Sequence, residues 1–174
     1  MRHIVWTFAL LMLPTLPLQA EEAPLIDGHI HYSHDNWETL PPEKAVDILR
    51  RAGLARAFVS SSSDEGTQML YRVAPDLIVP VLRPYRKRGE TGTWFTDATV
   101  PPMMAERLAR YRYAGLGEFH IDGIEAETAV MRAVVQLAKK HGLFLHSHSD
   151  AAAVHAIFAQ DPDALVLWAH AGFE

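Results

Sequence analysis

The chain has 174 residues, 49% hydrophobic and 21% charged, with a formal net charge of −5: the composition of a globular protein with room for a single domain. The absence of cysteine excludes disulfides, thiol nucleophiles and Cys-type zinc sites, and the mildly acidic balance without a long basic run argues against nucleic acid as a partner. Ten histidines are the unusual feature, because neutral imidazole is the commonest side-chain metal ligand.

Met1 to His3 carry positive charge, and Ile4 to Leu18 form an apolar stretch broken by Thr7, Pro14, Thr15 and Pro17. The small Ala20 follows, ahead of Glu21-Glu22. This pattern predicts a secretory signal peptide over residues 1–20, cleaved after Ala20, and a mature domain over 21–174 in the periplasm or outside the cell. The apolar run is shorter than the roughly 20 residues a span needs and is interrupted by proline, so no stable membrane span is expected after cleavage.

From Leu25 onward short apolar runs alternate with amphipathic ones. Leu25 to His31 reads as a strand, and Pro41-Pro42-Glu43 opens a helix whose Ala45, Val46, Ile48 and Leu49 fall at helical spacing before Gly53. Then follow a strand at Ala57–Ser60, a helix at Gly66–Val73, a strand at Leu77–Leu82 and a helix at Met103–Tyr111. Gly115–Ile121 is a strand, Ala126–His141 a long helix stopped by Gly142, and Leu143–His146 a strand. A helix capped by Asp150 runs to Gln160, and Ala164–His170 is the sixth strand. Alternating βα units predict a parallel sheet and an α/β fold, either doubly wound or a (β/α)8 barrel. Gly28 stands alone where a nucleotide-binding doubly wound fold would carry a Gly-rich loop.

Chemistry gathers instead at the C-terminal strand ends, where a barrel keeps its active site. His29 and His31 are two apart on a strand, so their side chains leave one face. Glu118 closes the Gly115–Glu118 run, His146 and His148 end the fifth strand, and His170 ends the sixth. Imidazoles with one carboxylate suit Zn²⁺ or a similar divalent ion.

The segments Ile26-Asp27-Gly28-His29-Ile30-His31, Gly117-Glu118, Leu145-His146-Ser147-His148 and Trp168-Ala169-His170-Ala171-Gly172 together resemble the amidohydrolase superfamily, most closely its amidohydrolase-related branch. The resemblance runs from about Leu25 to Glu174. It implies a metal-dependent hydrolase on a TIM (β/α)8 barrel, with one or two divalent ions, zinc foremost, and hydroxide attack on a small amide, ester or lactone. On that reading His29, His31, Glu118 and His170 are ligands. His146 is preferred over His148 as the fifth-strand ligand, and the other histidine contacts substrate or supports a ligand. His120 shares the face of Glu118, and Arg83 could meet an anionic substrate group.

A full barrel needs eight strands and about 250 residues, whereas about six βα units are present and no Asp follows His170. The eighth-strand aspartate that would serve as general base is therefore unassigned. A C-terminally truncated product or a partial sequence is expected, with a small barrel completed by oligomerisation as the other possibility. A non-oxidative decarboxylase of the same superfamily, and an inactive metal-binding fragment, are the alternative functions. The expected partner is a small molecule.

Overall fold

Residues 23–171 are described by the computed structural model. The expected signal segment and Gly172 to Glu174 lie outside the described residues. Each apolar run becomes a strand and each amphipathic run a helix: β1 (Leu25–Ile30), α1 (Pro42–Arg51), β2 (Leu54–Val59), α2 (Asp64–Val73), β3 (Ile78–Leu82), α3 (Val100–Arg110), β4 (Gly115–Ile121), α4 (Ala129–His141), β5 (Phe144–Ser149), α5 (Ala151–Gln160) and β6 (Val166–Trp168). Helix ends follow local chemistry. The Thr128 hydroxyl accepts from Met131 N–H at the start of α4, and the Asp150 carboxylate accepts from Ala153 N–H, 2.7 Å, at the start of α5. Gly142 closes α4 in the left-handed conformation.

The six strands are all parallel and pair in chain order, β1 through β6. Phe58 on β2 and Phe144 on β5 lie three strands apart in that order, yet their rings approach to 5.7 Å. Only a strongly curled sheet brings them together, so the fold is α/β, a half-barrel of alternating βα units compatible with an incomplete TIM-like barrel.

The convex face of the sheet carries most of the core. Val59, Ile78, Leu82, Leu116, Phe119 and Leu145 are almost completely buried, in two apolar clusters shared with residues of the helices. Each such side chain contributes roughly 1.5–3 kcal/mol on burial. A one-residue slip of a strand would turn these side chains into the concavity, so the outer packing fixes which residues face inward. On β5 the inward series is Phe144, His146 and His148, and Phe144 floors the concavity against Phe58.

Several boundaries differ from the sequence expectation. β2 begins at Leu54 because Leu54 pairs with Leu25, and β5 continues to Ser149 because His148 and Ser149 pair with His120 and Ile121. Ladder hydrogen bonds, which a polar residue makes as well as an apolar one, set these lengths. α3 starts at Val100, with Pro101 and Pro102 tolerated in its first turn. The sixth strand stops at Trp168, and His170 sits in a turn over Ala169–Ala171 with φ 58°. At the sheet margins Leu25, Ile26 and Leu165 are more than half exposed.

At Gly117 conformation and space both demand glycine. Gly117 has φ +129°, and a Cβ placed there would lie 2.2 Å from the His146 carbonyl oxygen on β5. Gly142 also has positive φ but open space around its Cβ position. Gly117→Ala should therefore combine strain of about 1–3 kcal/mol with a backbone clash, whereas Gly142→Ala should cost about 1–2 kcal/mol. Thermal unfolding followed by circular dichroism should show the larger loss for Gly117→Ala; equal losses would contradict the close-approach argument.

Candidate metal centre

The inward residues at the C-terminal strand ends meet in one open concavity of about 650 Å³, lined by His29, His31, Arg83, Glu118, His120, His148 and His170. At its middle is Glu118, 2% exposed, on the β4 residue that follows the Gly117 approach to β5. Its Oε2 lies 2.8 Å from Arg83 Nη2 and 3.1 Å from His31 Nε2. Its Oε1 lies 3.0 Å from His148 Nδ1, 3.5 Å from His29 Nε2, 3.8 Å from His170 Nε2 and 4.0 Å from His120 Nε2. Donor atoms around a tetrahedral ion bound at 2.0–2.1 Å are separated by about 3.3 Å, so these spacings are of the right size. The donor atoms of His29, Glu118 and His170 all lie within 4.8 Å of one another, as do those of Glu118, His120 and His148.

The hydrogen bonding of His31 sharpens this. The Ser60 carbonyl, 2.8 Å from His31 Nδ1, can only accept, so Nδ1 donates and a neutral ring keeps its lone pair on Nε2. That lone pair faces both Glu118 Oε2 and, at 2.8 Å, His29 Nε2. Electron pairs so directed are held together only by positive charge between them, a proton or a cation. A ring N–H donated to a backbone carbonyl is also the usual support for a metal-bound imidazole.

His146 supplies an independent observation. It is 2% exposed, its ring packs edge-on against His29 at 4.7 Å, and neither ring nitrogen has a hydrogen-bond partner. A buried polar group without a partner costs about 1–3 kcal/mol, and ligation is the ordinary remedy for an imidazole. The donor set and this orphaned ring fit a divalent ion of zinc type.

Charge states follow from the surroundings. Burial would raise the Glu118 carboxyl, but its close polar contact with His31 and the positive charge beside it, Arg83 foremost, outweigh that and hold the group well below the usual carboxylate range. Burial pushes His120 and His146 down to about 4, and lowers His29 against the opposing pull of Glu118. Neutral imidazoles beside an ionised carboxylate are the protonation states that ligation requires.

Every residue expected from the sequence as a ligand is brought to this region, but by different means. His29 and His31 leave one face of β1 and its extension, while Glu118 is internal to β4 rather than at its end. His170 arrives from the left-handed turn after β6, its ring 4.9 Å from both the His29 and the His148 rings. Of the two fifth-strand candidates, His148 reaches Glu118 and His146 lies deeper, against His29. The basic residues after β3 divide: Arg83 enters the site, Arg86 is tied to Glu90, Asp97 and Thr99, and Arg88 pairs with Asp35. His141 and His155 are exposed on their helices.

Sequence reasoning missed Tyr85. Its hydroxyl accepts from the His120 backbone N–H at 2.7 Å and lies 2.9 Å from His120 Nδ1. The signal was present: Tyr85 is two residues beyond Arg83, so an extended chain turns both to one face. Comparisons with protein-family models, curated proteins and solved structures return no match to this chain. The class defined by fold and site is thus an α/β half-barrel whose strand ends hold His and Glu groups able to bind a metal ion.

The depressed imidazoles give a pH dependence for the metal-free chain. An unfolded imidazole titrates near 6.5 and the folded His146 near 4, so between those values the unfolded state binds more protons. Stability should be full above about pH 6.5 and fall as the pH drops toward 4. Urea midpoints of chelator-treated protein should decline between pH 7 and 5, less steeply for His146→Leu; a flat wild-type profile would contradict the burial argument.

Proposed function

We propose that the chain is a metal-dependent hydrolase that acts on a small amide, ester or lactone, with a divalent ion, zinc foremost, held by His29, His31, Glu118 and His170 and by the deeper His146. The observation that carries this reading is the His31 Nε2 lone pair aimed at Glu118 Oε2 across 3.1 Å, beside a second imidazole nitrogen at 2.8 Å. A cation bound there would supply Lewis acidity toward a carbonyl and lower the pKa of a coordinated water toward 7.

The chain's own residues have separate tasks. Arg83 pins Glu118 through Nη2 to Oε2 and through Nε to the Glu118 backbone carbonyl, 3.1 Å, so the carboxylate cannot rotate away from the imidazoles. The Ser60 carbonyl orients His31, and the Asp27 carboxylate accepts from His29 N–H at 2.9 Å and steadies the strand end. The open mouth admits a small molecule directly above the donors. Among the described residues no helix is long and apolar enough to cross a membrane. The charged and apolar pattern of residues 1–20 supports export of the domain.

Elemental analysis of the purified chain tests the first half of the proposal. Zinc should be retained in wild type and in His155→Ala and lost in His29→Ala and Glu118→Gln, since second-sphere and ligand changes cost 10–100-fold or more in affinity. Hydrolysis of simple aryl esters and lactones should vanish on chelation and return with zinc. Equal metal content in all four proteins, or hydrolysis indifferent to chelator, would refute it.

A further inference from the structure

The two apolar clusters of the core stay separate where α2 and α3 come side by side. One holds the buried residues of α1 and α2, Val46 and Leu70 among them, and the other those of α3 to α5, such as Val100, Met104 and Val134. The seam is bridged by polar side chains. Arg107 of α3 reaches Glu65 and Asp64 at the start of α2, and the Tyr113 hydroxyl donates to Asp64 Oδ2 at 2.6 Å. Beside these bridges lies an open groove of about 650 Å³, a size that admits a small molecule, and it shares no lining residue with the strand-end concavity. We propose that this groove binds a small organic anion, a flat carboxylate with an apolar body, held by Gln68, Arg72 and Arg110. The proposal stands independently of the metal-dependent reading.

Gln68 is the residue that points to a ligand. It lines the groove, is 5% exposed, and its Nε2 has no hydrogen-bond partner. Burial pushes the nearby Asp64 carboxyl up, and Tyr113, Arg107 and the Gln68 amide only partly offset this; neither Gln68 Nε2 nor Asp64 Oδ1 closes a hydrogen bond. A buried N–H without an acceptor is unfavourable. An oxygen delivered along the groove would satisfy it.

The charges beside Gln68 select an anion. Arg107 is engaged by Asp64 and Glu65, whereas Arg72 and Arg110 have no carboxylate partner among the described residues. Against these two cations the groove sets one free carboxylate, Glu106, so one positive charge is left over. A guanidinium matches a carboxylate through two parallel hydrogen bonds. The rest of the lining is apolar or aromatic: Trp37, Met69, Met103 and Tyr111, whose ring centre lies 5.1 Å from the Arg110 guanidinium carbon. Thioether side chains adapt to an irregular apolar body. The ligand therefore lays its flat part between the methionines and the rings and turns its carboxylate to Arg72 and Arg110, one oxygen meeting Gln68.

Titration of the chelator-treated full chain with benzoate, followed by NMR of the Trp37 indole N–H and the Gln68 side-chain amide, tests this. Both signals should move along one saturable curve. Benzamide, which has the shape without the charge, and inorganic phosphate, which has the charge without the ring, should bind at least about tenfold more weakly. Arg110→Met should weaken benzoate by about 10–100-fold, and Arg112→Met, outside the groove, should leave it unchanged. Gln68→Leu should also weaken benzoate, read at Trp37, while raising the thermal midpoint of the ligand-free chain, because the unpaired donor is gone. Should Gln68→Leu fail to fold, the exposed Arg110→Met decides. No saturable shift at Trp37 and Gln68, benzamide or phosphate binding as tightly as benzoate, or undiminished affinity in Arg110→Met overturns the site. Zinc content should be the same in Arg110→Met as in wild type, so failure of this site leaves the metal-dependent reading in place.

Discussion

A single buried negative charge organises the concave face of this protein. Glu118 is 2% exposed, and a carboxylate taken so far out of water must be compensated by nearby positive charge and donors. Arg83 provides a permanent compensation at 2.8 Å, and five imidazoles approach within 4.0 Å. Five histidines around one carboxylate exceed what neutralising it requires. Removal of the carboxylate would leave Arg83 and the half-buried rings facing one another, so the arrangement of β1, β4 and β5 at their C-terminal ends depends on it.

That charge is reached only because the opposite face of the sheet is fixed. Phe119 and Leu145 are buried among the helices outside the barrel, and strand alternation then turns their neighbours Glu118 and His146 inward. Gly117 adds what alternation cannot. Two β4 residues occupy the interval opposite His146 before pairing resumes at Phe119 and Ser147, and a side chain at 117 would collide with the His146 carbonyl. The irregularity is tolerated where it sets the height of the carboxylate between His29 and His148.

Much of this was legible in the sequence because strands have period two. His29 with His31, Glu118 with His120 and His146 with His148 each announce a shared face, and alternation of apolar runs with amphipathic ones gave the parallel order. His170 was legible as a residue but not as a geometry, since its left-handed backbone is set by the chain turning off β6 and carries no glycine to mark it. Arg83 and Arg86 look alike in sequence and part company in space, because Glu90 and Asp97 capture Arg86 through contacts made only once the loop folds. Which of His146 and His148 meets Glu118 depends on depth along the barrel, and the floor formed by Phe58 and Phe144 sets that depth. Neither phenylalanine reveals its partner three strands away.

The same depth explains why stability and chemistry pull against each other here. His146 sits on the layer above that floor, where burial removes water and no acceptor or donor replaces it. A leucine in that place would fit the apolar floor without an unsatisfied nitrogen, so the imidazole is a cost to the metal-free fold. Clusters of histidines held neutral by burial raise the same objection, since each loses stability whenever the surroundings supply protons. A cation that binds the native arrangement and not the unfolded chain reverses the balance, because its binding free energy adds to folding by mass action. On this account the polar interior is unfavourable alone and would be favourable when ligated, so metal binding there would be coupled to folding of the β1, β4 and β5 strand ends.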